Sequence, residues 1–195
     1  MSATSTALMT AEELMQLPDD DGFRYELING ELEKMPSPGP PHGRIAFRLN
    51  VHLGRFIVDH GLGEGFANDT GFKLTSNPDT VLAPDFAFVT NEKYQEGSKT
   101  EGYWPGPPDV AVEVLSPSDR PGKVRQKISR WFDHGVRQLW ILDPKYGTVS
   151  VYRSESDITT FSGSDYLEAP DLFPGLRISL DKIFGPTPGA VKESK

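Results

Sequence analysis

From Asp109 to Leu115 the chain reads Asp-Val-Ala-Val-Glu-Val-Leu, and no other stretch limits the possible folds so sharply. A nearly continuous β-branched run of this kind is a strand covered on both faces, because a solvated face would need polar residues at alternate positions. Ser116-Pro117-Ser118-Asp119 then leads into a helix from about Gly122 to His134, closed by Gly135, and Val136 to Leu142 forms a second apolar strand. Strand, helix and strand in this order make a parallel crossover unit, right-handed by rule. The expected fold is therefore α/β (α+β), a mixed sheet with helices packed on it.

The elements around this unit are short, because 19 Gly and 17 Pro punctuate the chain. Thr10-Ala11-Glu12-Glu13 is a capping box. It opens a short helix with Leu14 and Leu17 on its apolar face, which Pro18 and Asp19 to Asp21 end. Phe23 to Leu27 and Glu31 to Met35 flank Asn29-Gly30, a strong hairpin signal because both turn residues tolerate positive φ. A stiff loop, Pro36 to Pro41, precedes a long amphipathic helix from His42 to about His60, where Ile45, Leu49, Leu53, Phe56 and Ile57 recur at helical spacing. Gly61 and Gly63 stop it. Strands follow around Glu64 to Asn68, Phe72 to Thr75 and Asp85 to Thr90, and Asn91 to Pro108 reads as a surface loop. Thr148 to Arg153 returns as a strand, with a strand or two near Ile158 to Phe161, a turn at Leu172 to Leu176, and a closing helix from Leu180 to Phe184. One domain is expected over residues 10–184, between a disordered tail at 1–9 and a flexible tail at 185–195.

Several classes of function fall away. Cysteine is absent, so no disulfide framework and no thiolate metal site exists. A reducing cytoplasm suits such a chain, and no apolar run is long enough to span a membrane. The formal net charge of −8 argues against a protein that coats nucleic acid by general electrostatics. A carboxylate-lined metal site, by contrast, adds negative charge of its own. There is no phosphate-binding glycine loop, no nucleophile elbow and no His-Glu-x-x-His pair among His42, His52, His60 and His134.

What remains is a small set of charged residues in apolar places. Glu113 is the one charge inside the central strand. It either faces a solvated side of the sheet, pairs with Lys or Arg, or binds a metal, since an unpaired buried charge is too costly. Asp85 opens an apolar strand directly after Pro84, a position equally natural for a turn and for a metal ligand. Two carboxylates on neighbouring strands suit a divalent cation that keeps several waters. Lys123, Lys127 and Arg130 share one face of the helix after Glu113. That face is either solvated or lends a lysine to the site. Glu26 on the hairpin and His42 at a helix start read by themselves as surface residues.

Tyr25-Glu26-Leu27-Ile28-Asn29-Gly30-Glu31, Pro38 to His42 before the long helix, and Ala83-Pro84-Asp85 resemble the Uma family of putative restriction endonucleases. So do Pro108 to Ser118, Lys127, Trp131, Gly135-Val136 and Leu139 to Pro144; the likeness runs from Thr10 to Phe184. The resemblance implies a restriction-endonuclease-like PD-(D/E)XK fold, a mixed sheet of four or five strands flanked by helices. It implies a Mg²⁺-dependent endonuclease acting on DNA, with Mn²⁺ as a possible substitute and a homodimer as the expected assembly. Asp85 and Glu113 match the acidic motif residues and would bind the metal, with Val114 as a third ligand through its carbonyl. Leu115 stands where the superfamily has a lysine, and Lys127 matches the helix lysine that takes its place; Glu26 matches a further acidic site residue. The alternatives are a catalytically inactive module of the same fold that binds a protein or nucleic acid, and a hydrolase of another phosphoester.

Overall fold

The computed structural model describes residues 8–18, 22–68 and 70–185. Most of both expected tails lies outside the described residues; Met9, at the edge of the first, donates its N–H to the Gly30 carbonyl at 2.9 Å.

The centre is a six-stranded mixed sheet. Its order is β11 (Ile158–Phe161), β10 (Thr148–Tyr152), β9 (Gln138–Asp143), β8 (Val110–Val114), β6 (Phe86–Thr90) and β3 (Gly63–Ala67). Only β8 and β9 run parallel, joined by α4 (Pro121–Asp133), as the crossover pattern requires. Every residue of β8 is buried, because a helix covers each face. Val110, Val112 and Val114 point toward Ile45, Leu49, Leu53 and Ile57 of α2 (Pro40–His60). Ala111 points the other way, toward Ile128 and Trp131 of α4. Burying each such side chain contributes roughly 1.5–3 kcal/mol. Strand alternation then puts Glu113 on the α4 face.

The N-terminal helix α1 (Ala11–Leu14) has the expected capping box, with the Thr10 hydroxyl and the Glu13 carboxylate each accepting the other residue's N–H. The hairpin of β1 (Phe23–Ile28) and β2 (Glu31–Pro36) turns at Asn29 and Gly30, with φ of 50° and 78°.

The structure adds elements the sequence did not show. The hairpin continues into a second, five-stranded sheet in which β5 (Thr80–Leu82) and β7 (Trp104–Pro105) are new and β4 (Phe72–Thr75) is the expected strand. The expected surface loop from Asn91 contains α3 (Asn91–Gly97), capped by the Thr90 hydroxyl. Its residues are polar all round, so no apolar period announces it; Trp104 holds it, stacking on Tyr94 and lying where any side chain at Gly97 would sit. The expected turn at Leu172 to Leu176 opens β13 (Phe173–Ser179), paired with β12 (Tyr166–Ala169). Pro174 and Gly175 suggested a turn, but Phe173, Leu176 and Ile178 are buried in the main core. The chain closes with α5 (Leu180–Phe184), and α2 begins at Pro40, two residues early, because proline suits a first helical turn. No helix among the described residues is long and apolar enough to cross a membrane.

Candidate active site

The site forms where the two large sheets meet. Asp85 stands just before β6, and its N–H donates to the Val112 carbonyl at 2.9 Å, extending the β6–β8 ladder by one bond. That bond fixes the carboxylate against the next strand, where Val114 N–H donates to Asp85 Oδ2 at 2.7 Å. Glu113 projects from β8 toward α4. Its Oε1 accepts from Trp131 Nε1 at 3.0 Å and its Oε2 lies 2.8 Å from Lys127 Nζ. Lys127 and Trp131 are one helical turn apart, so a single face of α4 delivers both.

The hairpin brings the rest. Arg24 and Glu26 alternate with Tyr25 and Leu27 along β1 and face the site. Arg24 Nη1 donates to Asp85 Oδ1 at 3.1 Å. Glu26 Oε1 accepts from Ala83 N–H at 3.2 Å and lies 3.9 Å from Lys127 Nζ. His42, in the first turn of α2, places Nε2 3.1 Å from Asp85 Oδ2.

Asp85, Glu113, Lys127 and Glu26 thus stand together, and Val114 meets Asp85 by donating its N–H to the carboxylate. The expectation that Glu26 and His42 are surface residues is corrected: they are 3% and 5% exposed. The polar side of β1 looked solvated because it is charged, and it is charged because it faces other charges. Arg24 was missed for the same reason. Trp131 carried no charge to mark its contact with Glu113. Lys123 and Arg130, on the face of α4 that holds Lys127, pair with Glu33 of the hairpin.

The electrostatics are those of a cluster short of positive charge. Burial pushes the Glu113 carboxyl up to about 7; Lys127 opposes this, while Asp85 and Glu26 add to it. Burial also raises Asp85, but the His42 contact, the Val114 amide and the Lys127 charge together hold it below the ordinary carboxylate value. Burial alone would lower Lys127. Glu113 first, then Glu26 and Asp85, raise it instead, so it stays an ammonium. Its side chain is 27% exposed, at the edge of a cleft.

Among the described residues no three His, Asp or Glu side chains form a ready-made metal cage. The donors present are carboxylate oxygens and main-chain groups, which fit a hard divalent cation that retains water.

A mixed sheet whose one parallel pair, β8 and β9, is joined by α4, with helices packed on both faces, is a restriction-endonuclease-like fold. The chain belongs to the Uma2 family, whose model, described as "Putative restriction endonuclease", matches residues 11–181. Among solved structures it is similar to a protein described as "a putative nuclease" from Anabaena variabilis, with a TM-score of 0.73 and 23% identity over 90% of this chain and 97% of that one. That likeness shows the fold. No curated protein matches the chain.

Proposed function

We propose that the protein is a metal-dependent endonuclease hydrolysing phosphodiester bonds of DNA. One observation carries the reading. Lys127 reaches Glu113 from the crossover helix at 2.8 Å, so a lysine stands beside the acidic pair although Leu115 occupies the in-strand position. Asp85 and Glu113, with the Val114 carbonyl, would hold Mg²⁺ or Mn²⁺, which when bound polarises the phosphate and acidifies water. The chain's own residues do the remainder. Lys127, kept charged, donates to a phosphate oxygen or orients the attacking water. Glu26 keeps the ammonium in place. In the net reaction one P–O bond is exchanged for a bond to the oxygen of water, and the leaving alkoxide oxygen takes up the proton that the water gives up.

Calorimetric titration of Mg²⁺ and Mn²⁺, run beside a supercoiled-plasmid nicking assay, tests this. Binding and nicking are expected in wild type, and neither in Asp85→Ala or Glu113→Ala. Nicking that survives Asp85→Ala overturns the assignment.

A second reading has one observation in its favour. Each central carboxylate already has a cationic partner, Arg24 for Asp85 and Lys127 for Glu113. Such a cluster serves a module that binds a partner without cutting it. Its mark is a metal-independent interaction that survives Glu113→Gln.

Self-association belongs to the same proposal, since a two-fold pair presents one site to each strand of a duplex. Phe47, Val51 and Val58 are exposed on one stripe of α2 that also carries Gly43 and Gly54, with open space around both glycines. An antiparallel second copy would set Phe47 on Gly54 and Val58 on Gly43. Sedimentation velocity should show a dimer that Phe47→Glu dissociates.

A further inference from the structure

Alternation along β1 turns Arg24 and Glu26 to one face, toward Asp85 and Lys127. β1 pairs with β5 only at Leu27 and Val81, so at residue 24 the strand has a partner on one side alone, Met35 of β2. The open side leaves a cleft of about 490 Å³, lined by Arg24, Glu26 and Lys127 among others. The Asp85 carboxylate divides its two oxygens. Oδ2 accepts the Val114 N–H at 2.7 Å and has His42 Nε2 at 3.1 Å. Oδ1 meets Arg24 Nη1 at 3.1 Å and no other group among the described residues. Oδ1 is therefore the oxygen with room for a divalent cation, and Arg24 stands on it.

The guanidinium is only partly satisfied. Nη1 donates to Asp85, while Nε is buried and has no acceptor among the described residues. A buried donor without an acceptor is costly. Phosphate oxygens are acceptors of the right charge, and the flat fork of an arginine meets them two at a time. The side chain is 26% exposed and lines the cleft, so it can turn from the carboxylate to a ligand there. Asp85 is not stranded when Arg24 leaves, because the two groups on Oδ2 remain. A guanidinium and a divalent cation on one oxygen repel each other strongly at a buried position. We infer that Arg24 has two partners in turn: it holds Asp85 Oδ1 until a divalent cation takes that oxygen, and it then binds a phosphate oxygen of DNA in the cleft beside Lys127. Arg24 is thus a substrate-binding residue, and its release couples the cation to the phosphodiester. The inference rests on the nuclease reading for the identity of both ligands.

Opposite effects on the two ligands are the signature. Calorimetric titration of Mn²⁺ alone should show Arg24→Ala binding at least about five-fold more tightly than wild type, since the competing charge is gone. Fluorescence anisotropy of a labelled DNA duplex of about 20 base pairs in Ca²⁺ should show the same variant binding at least about ten-fold more weakly, the scale of one charge-assisted hydrogen bond. Arg24→Gln should behave alike. Arg24→Lys, which keeps the charge and loses the fork, should keep the wild-type metal affinity and lose part of the DNA affinity. Thermal melting verifies that each variant folds. Arg177→Gln, which removes an exposed partner of Glu168, should change neither ligand. Mn²⁺ affinity that is unchanged or lower in Arg24→Ala, DNA affinity that is unchanged in it, or no DNA binding by wild type overturns the inference. A residue that only props Asp85 would weaken both ligands together. Hydrolysis of bis(p-nitrophenyl) phosphate by the wild type in Mn²⁺, lost in Glu113→Ala, reports on the nuclease reading alone. Opposite shifts without that hydrolysis keep the role of Arg24 and sink the chemistry; hydrolysis without the opposite shifts does the reverse.

Discussion

The two ends of the crossover strand hold two buried carboxylates that behave differently. Asp109, 3% exposed, stands just before β8. Its Oδ2 accepts the Thr90 N–H at 2.8 Å, and its Oδ1 lies 3.4 Å from Lys93 and 3.5 Å from Arg137. Its partners are a backbone amide and two cations with access to water, and none is another acid. Glu113, four residues on and equally buried, shares its surroundings with Asp85 and Glu26. Burial alone therefore does not make a site. A carboxylate becomes chemically poised when other carboxylates compete with it for too few cations. Asp109 fastens β8 to the start of α3 and β9, whereas Glu113 sits among competing acids.

Exchanging the two acids breaks the comparison most sharply. Glu113→Ala should lower plasmid nicking by at least about 100-fold while the protein stays folded, and Asp85→Ala should do the same. Asp109→Ala should leave the activity of the folded protein intact and cost about 2–4 kcal/mol of stability in urea titration, because it strands an amide and two cations. Loss of activity in folded Asp109→Ala would show that the two ends are not separate.

Lys127→Met sharpens the picture at the Glu113 end. It should reduce cleavage by roughly 100-fold and move the Glu113 titration further up, since the cation that opposes burial is gone. Carboxyl infrared or NMR titration of the metal-free variant reads that shift.

The metal-free protein should also show the cluster in its pH dependence. Glu113 ordinarily titrates near 4.5 and is raised to about 7 in the fold, so its contribution is complete below pH 4.5 and lost as pH rises through 7. Asp85 acts in the opposite sense: it is held below 3.8, so its contribution is present above that value and lost only as pH falls below it. Between pH 4.5 and 7 Glu113 therefore dominates, and stability should fall by up to about 1.4 kcal/mol per pH unit, levelling off above that range. Glu113→Gln should flatten that slope.

The smallest effect is expected for Trp131→Phe, which keeps the ring and removes the donor to Glu113 Oε1. A loss of about 1–2 kcal/mol in stability and a modest fall in cleavage would mark a positioning residue.

The sequence by itself determined whatever is local or periodic. The unbroken run of Asp109 to Leu115 required a doubly covered strand, Asn29-Gly30 required a hairpin, and the spacing of Ile45, Leu49, Leu53 and Ile57 required a helix with one buried face. Family motifs then marked Asp85, Glu113, Lys127 and Glu26. Only the tertiary structure decided which charges meet. Arg24 and His42 sit 61 and 43 residues from Asp85, and nothing in their neighbourhood distinguishes a charge facing water from one facing a buried acid. The second sheet was equally hidden, because the three residues of β5 and two of β7 are too short to show a period. Helix α3 lacks an apolar stripe and forms where Trp104 supplies the contact. Spacing along the chain encodes local geometry; pairing across it depends on how the sheets are laid together, and the chemistry of this site lives in that pairing.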